Sequence, residues 1–193
     1  MSLRHYLLAV TGASGSVYAR RAMQLLSDLA QRNADVRCHL VISQSGRQVW
    51  EQELGEPFPD EIAGLQQWGV NDFSAPFASG SNAATATLVA PCSMSSLGRI
   101  ANACGTGLIH RACDVALKER KPLILLARET PLSTLHLRNM TAVSEAGAVV
   151  MPAVPSFYSG AGDLASAVDS VIARALDHMG IEHTLLPRWG EIQ

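Results

Sequence analysis

The chain has 193 residues, 48% of them apolar and 17% charged, with a net charge of −2. That length suits one domain with a full core. The near-neutral charge argues against nucleic acid or a membrane surface as partner, and every apolar run stops short of the ~18 residues of a membrane span. The start, MSLRHYLLAV, shows no signal-cleavage pattern. Cys38, Cys92, Cys104 and Cys113 form no CxxC, and no Cys/His spacing suits zinc. Reduced thiols, a cytoplasmic location and no metal site are the resulting expectations. The apolar content fits either an alanine-rich core or surface buried against other copies.

In chain order, Tyr6–Val10 reads as a strand that runs into the turn Thr11-Gly12-Ala13-Ser14-Gly15 and a helix over Ser16–Gln31. Strand, glycine turn and helix start form an anion site from free amides and the helix dipole. The dinucleotide pattern G-x-G-x-x-G fails, because Val17 and Tyr18 follow Gly15. A short-chain dehydrogenase is also excluded: neither lysine, Lys118 or Lys121, has tyrosine four residues upstream. Ser14 is left as either a plain helix cap or a ligand-facing hydroxyl.

A second strand, Val36–Ile42, leads through Ser43 to a helix over Ser45–Leu54. Gly55–Pro59 is a turn-rich connector, and Asn71–Asn82 a polar loop of the length that is usually functional or disordered. Leu88–Ala90 is the third strand. It ends in Pro91-Cys92-Ser93-Met94-Ser95-Ser96, at the start of a helix over Ser93–Cys104. Another helix, Leu108–Arg120, carries Arg111 and Lys118 seven residues apart and so on one face. Arg120 and Lys121 read as a solvated basic face. Leu123–Ala127 is the fourth strand, closed by the charged pair Arg128-Glu129. Helix Thr134–Ala146, strand Ala148–Met151, Tyr158 and helix Leu164–Met179 follow. Arg174 in that last helix either snorkels or reaches a phosphate. The tail past Gly180 has Leu185, Leu186 and Trp189 but no fold of its own, so it is expected to pack on a neighbouring subunit.

Strands alternating with helices predict a three-layer αβα, Rossmann-like, mainly parallel sheet, with the ligand at the carboxyl ends of the strands. Residues 1–180 form the domain. Three hydroxyl-rich strand ends on one edge would suit a phosphate and a polar ring, and FMN has both.

Seven stretches then fall into a known order: TGASG, Ala78–Ser81 (ASGS), APCSM, RACDVALKER, ARETPLSTLHLRNM, Phe157–Tyr158 and LLPRWG. With them the chain resembles the UbiX-type flavin prenyltransferases, within the wider FMN-binding flavoproteins. The resemblance implies transfer of a dimethylallyl group from dimethylallyl monophosphate to N5 and C6 of reduced FMN. The product would be the prenylated flavin of UbiD-type decarboxylases, and the resemblance implies a homo-oligomer, a dodecamer.

By motif position it implies FMN contacts at Gly12, Ala13, Ser14, Ser43, Ser93, Met94, Ser95, Ser96 and Arg128. It places the prenyl phosphate at Tyr158 and Arg174, with Lys118, Arg111 and Ser79-Gly80-Ser81 nearby, and gives proton handling to Ser14 and Glu129. The chain departs from the family at Thr106-Gly107, where an Asx pair is usual, and at Phe73, often Trp. No Asp-rich DDxxD motif is present, so a metal-independent reaction is expected. Two other readings remain. An FMN-dependent decarboxylase of a cysteine-derived carboxylate would need an Asn in the Pro91 loop, which is absent. A non-catalytic flavin-binding or delivery protein would not need Glu129, Tyr158 and Arg174 together.

Overall fold

The computed structural model describes residues 3–157, 162–187 and 190. Its strands are β1 (Arg4–Val10), β2 (Val36–Ile42), β3 (Leu65–Trp68), β4 (Ala86–Cys92), β5 (Leu123–Ala127) and β6 (Val149–Pro152). Its helices are α1 (Ser16–Arg32), α2 (Gln44–Leu54), α3 (Met94–Ala101), α4 (Leu108–Lys118), α5 (Thr134–Glu145) and α6 (Leu164–Met179). The six strands form one sheet in the order β3-β2-β1-β4-β5-β6, every neighbouring pair parallel. The order reverses between β1 and β4, which makes their carboxyl ends the switch point where such sheets bind ligands.

Each face of the sheet has its own core. Tyr6, Leu8, Leu40, Leu88 and Ile124 pack under α1, α2 and α6. Leu7, Ala9, Val41, Val89 and Leu125 pack under α3, α4 and α5. Double burial explains why β1, β4 and β5 read as unbroken apolar runs. The sequence pattern misses β3, Leu-Gln-Gln-Trp. As an edge strand it is covered less and needs no apolar run, so only Leu65 is buried. No helix among the described residues is long and apolar enough to cross a membrane. The four cysteines are free, with Cys38, Cys92 and Cys113 buried and Cys104 exposed.

One polar chain crosses the second core. Trp68 Nε1 donates to His39 Nδ1 at 3.1 Å, and His39 Nε2 lies 3.0 Å from His5 Nδ1. Because Nδ1 of His39 accepts, its proton sits on Nε2 and goes to His5. The two imidazoles stack at 5.3 Å, and Phe77 packs obliquely on His39. Burial, followed by the charges of His5 and Arg37, pushes the His39 pKa down from 6.5 to about 4. The stability this neutral His39 provides is present above pH 6.5, where it is uncharged in both states, and is lost as pH falls toward 4, because the unfolded imidazole protonates first. His39→Gln cannot titrate there. Between pH 7 and pH 5 it should lose on the order of 1–2 kcal/mol less than the parent chain, measured by chemical denaturation at both pH values. Equal losses would contradict the assignment.

Candidate functional site

Thr11 fastens the switch point. Its hydroxyl donates to the Pro91 carbonyl at 2.8 Å and accepts the Ser93 N–H at 2.8 Å, so the ends of β1 and β4 are joined by one buried side chain. Gly12 follows, and a Cβ there would fall 2.5 Å from Cβ and Oγ of Ser45. The TGASG turn therefore passes directly under the first turn of α2. Gly15 has φ +124°, open to glycine alone at low cost, and it is the N-cap of α1.

Glu53, in the last turn of α2, fills the α1 terminus. Its carboxylate accepts the Gly15 N–H at 3.0 and 3.1 Å and the Ser16 N–H at 2.7 Å. Partial burial alone would raise the Glu53 pKa. Bonds from the Ser14 side chain, the Ser16 and Gly15 amides and the Ser16 hydroxyl outweigh it and hold the carboxyl below its ordinary value. So α2 lies across the carboxyl edge, with its first turn on Gly12 and its last turn on Gly15. Ser14 is not a cap. It is an exposed hydroxyl bonded to Glu53.

The other two helix starts are capped by serine. Ser43 accepts the Gly46 N–H at 3.0 Å and lies 3.2 Å from the Ser45 hydroxyl. Ser93 accepts the Ser96 N–H at 3.2 Å and donates to the Ser96 hydroxyl. The amides of Gln44 and Ser45, and of Met94 and Ser95, occupy the first turns, where a helix supplies no acceptor. These two starts and their dipoles suit an anion; the α1 start already holds one.

Arg128 leaves the end of β5, its N–H on the Cys92 carbonyl at 3.2 Å, with its side chain exposed. Its charge reaches the Tyr18 phenol, whose pKa burial raises and Arg128 partly lowers again. Glu129 is exposed and accepts the Thr130 N–H at 3.0 Å. Gly12, Ala13, Ser14, Ser43, Ser93, Met94, Ser95, Ser96, Arg128 and Glu129 thus share one edge.

The remaining residues do not join them within the chain. Ser79, Gly80 and Ser81 precede β4, and Lys118 ends α4 just before β5, so both lie at the amino edge of the sheet. The length of β4 alone puts about 20 Å between that edge and Ser93. There Lys118 pairs with Glu119 beside Gly80. Arg111 donates to the Ala78 carbonyl at 2.9 Å and to Asp114 at 3.0 Å. Arg111 also lines a cavity of about 200 Å³ with Phe73, Arg99, Thr106, His110 and Asp114. Phe73 and Thr106, two of the departures from the family pattern, therefore border the same space. Arg174 sits on the opposite face, about 15 Å of helix rise along α6 from Leu164. Tyr158 and Trp189 lie outside the described residues. Among the described residues no three His, Cys, Asp or Glu side chains gather as a metal site.

Glu53 is the candidate site residue that sequence reasoning misses. Its one local signal is a carboxylate in the last turn of a helix, against the dipole of α2.

The flavoprotein family model matches residues 1–176. The flavin prenyltransferase UbiX of Methanocaldococcus jannaschii is 40% identical, over 96% of this chain and 98% of that protein. The crystal structure of AnUbiX in complex with FMN and dimethylallyl pyrophosphate superposes with a TM-score of 0.84 at 37% identity, covering 97% of both chains. A dodecameric FMN-dependent UbiX-like decarboxylase from Escherichia coli O157:H7 gives 0.86 at 35% identity, covering 96% of this chain and 98% of that one.

Gly12→Ala should weaken FMN binding at least roughly tenfold, since turn and α2 must move apart. Adding Ser45→Gly removes the clashing atoms and should recover most of the loss. Flavin fluorescence titration reads both; an unaffected Gly12→Ala would show that the close approach does not shape the site.

Proposed function

Because the chain belongs to the flavoprotein family, among its flavin prenyltransferases of the UbiX type, we propose that it joins the dimethylallyl group of dimethylallyl monophosphate to N5 and C6 of reduced FMN. The observation that supports this best is the carboxyl edge itself. Two serine-capped helix starts and Arg128 stand along it, while Glu53 keeps the α1 terminus closed. A flavin phosphate then goes to the first turns of α2 and α3, where amides and hydroxyls converge. The flavin, when bound, supplies N5 and C6 as the atoms that form the new carbon bonds.

In the reaction the bond between the dimethylallyl carbon C1 and the phosphate oxygen would break, with the phosphate leaving with the bonding pair as N5 bonds to C1 and loses its proton. The alkene would then take up a proton at C2 so that C3 bonds to C6, which gives up its own proton, and the net second proton goes to the phosphate. Ser14, oriented by Glu53, and Glu129 are the groups on this edge that handle those protons. The leaving phosphate carries about two negative charges near neutral pH. Arg111, Lys118, Arg174, Tyr158 and the Ser79–Ser81 loop supply the donors that stabilise it. Fixed cations take the part that a metal plays elsewhere.

Lys118 and the Ser79–Ser81 loop sit at the amino edge and Arg174 on the far face, which favours a second copy bringing them to the flavin edge. We infer that the site is completed between subunits of a homododecamer; of the tail expected to pack on a neighbour, Ile181 and Leu185 instead pack on the chain's own first core. The protein then works in the cytoplasm and hands its product to a UbiD-type decarboxylase.

The direct test is incubation with reduced FMN and dimethylallyl monophosphate in EDTA, followed by mass spectrometry of the flavin. One added C5H8 unit is expected, and an unmodified flavin would overturn the reading. Glu129→Gln should keep FMN bound and slow turnover roughly 100-fold; a wild-type rate would make Glu129 structural. Arg128→Ala and Lys118→Ala, each inactive alone, should regain about a quarter of wild-type activity when co-assembled, because random mixing rebuilds that share of two-copy sites. No recovery would place both residues in a site built within one copy and overturn the shared site.

A further inference from the structure

Arg174 is the exposed end of a three-residue chain. On α6 its guanidinium donates to the Asp177 carboxylate one turn further on. Beyond the helix, His183 Nε2 lies 3.2 Å from the other oxygen of Asp177, and His183 Nδ1 accepts the Leu185 N–H at 3.3 Å. With Nδ1 occupied as an acceptor, a neutral His183 carries its proton on Nε2 and donates it to Asp177. The arrangement is graded in exposure: the side chains of His183 and Asp177 are 8% and 15% exposed, that of Arg174 59%. Gly180, with φ +70°, ends α6 and turns the chain back, so that Ile181 enters the first core and Leu185 packs against it. The backbone that holds His183 is thereby fixed to the body of the domain.

We propose that Asp177 and His183 are positioning residues that hold the Arg174 guanidinium ready for the prenyl phosphate. This rests on Arg174 as a ligand of that phosphate. An arginine on a bare helix surface visits many rotamers, and ordering it opposes binding. Asp177 takes one of its five N–H donors and leaves the others for phosphate oxygens. Its negative charge also opposes a dianion, so ordering and repulsion act on KM with opposite signs. The buried anchor decides between them. A carboxylate that merely neutralised Arg174 would need no second bond from a buried histidine.

The test uses the full chain with FMN and dimethylallyl monophosphate. His183→Leu should raise KM for the prenyl phosphate about tenfold and leave kcat and FMN affinity within about twofold. His183→Gln can accept from Leu185 and donate to Asp177, so its KM should stay within about twofold of the parent. Asp177→Asn should also raise KM, whereas simple charge repulsion predicts a fall. Arg174→Ala separates the two layers of the argument. If it leaves KM unchanged, Arg174 is not a phosphate ligand and the reading beneath is wrong. If it raises KM while His183→Leu does not, Arg174 binds phosphate without being positioned and the proposal fails. Equal defects in His183→Leu and His183→Gln, or a lower KM in Asp177→Asn, would also overturn it.

Discussion

The bond between the Glu53 carboxylate and the start of α1 sets the rest of the site. In a nucleotide-binding sheet the first helix start is the strongest anion site near the switch point. Here the Gly15 and Ser16 amides are already bonded to Glu53. The carboxylate brings the last turn of α2 over the TGASG turn, and its first turn then rests on Gly12 without room for a Cβ. The absence of a third glycine in that turn is consistent with this arrangement. A dinucleotide pyrophosphate would find the α1 start occupied, and the open amides are those of α2 and α3. Ser14 is bonded to the same carboxylate, so the anchor that closes the α1 start also holds the hydroxyl proposed to handle a proton.

A second constraint is the separation of charge. Arg128 stands at the carboxyl edge, and Lys118 stands at the amino edge with β5 between them. One copy alone would have to span about 20 Å to use both. On the proposed two-copy site, this arrangement ties activity to assembly. The flavin edge is well formed in the single chain, held by Thr11, Ser43 and Ser93, whereas the phosphate donors are dispersed. This layout is consistent with flavin affinity that survives loss of the oligomer and prenyl transfer that does not.

Much of this was legible in the residues. Apolar runs bounded by hydroxyl-rich turns located β1, β2, β4 and β5, and with them the loops at Thr11, Ser43, Ser93 and Arg128. The short edge strand β3 was not legible, because its two glutamines face less covered surroundings. Ser43 and Ser93 were legible as residues at helix starts, and the structure shows each capping its own helix. Glu53 could not be read, since its partners belong to a helix that begins 37 residues earlier in the chain and nothing local names them. The strand Leu123–Ala127 was already legible between Lys118 and Arg128, and the structure places the two at opposite edges of the sheet. The Asp177–His183 bond was hidden because it depends on the turn at Gly180.

The most direct measurement is an experimental structure of the chain with FMN. The account predicts the flavin phosphate within hydrogen-bond distance of amides or hydroxyls in the first turns of α2 and α3, with Glu53 still bonded to the Gly15 and Ser16 amides. A phosphate seated on Gly15 and Ser16, with Glu53 displaced, would contradict it.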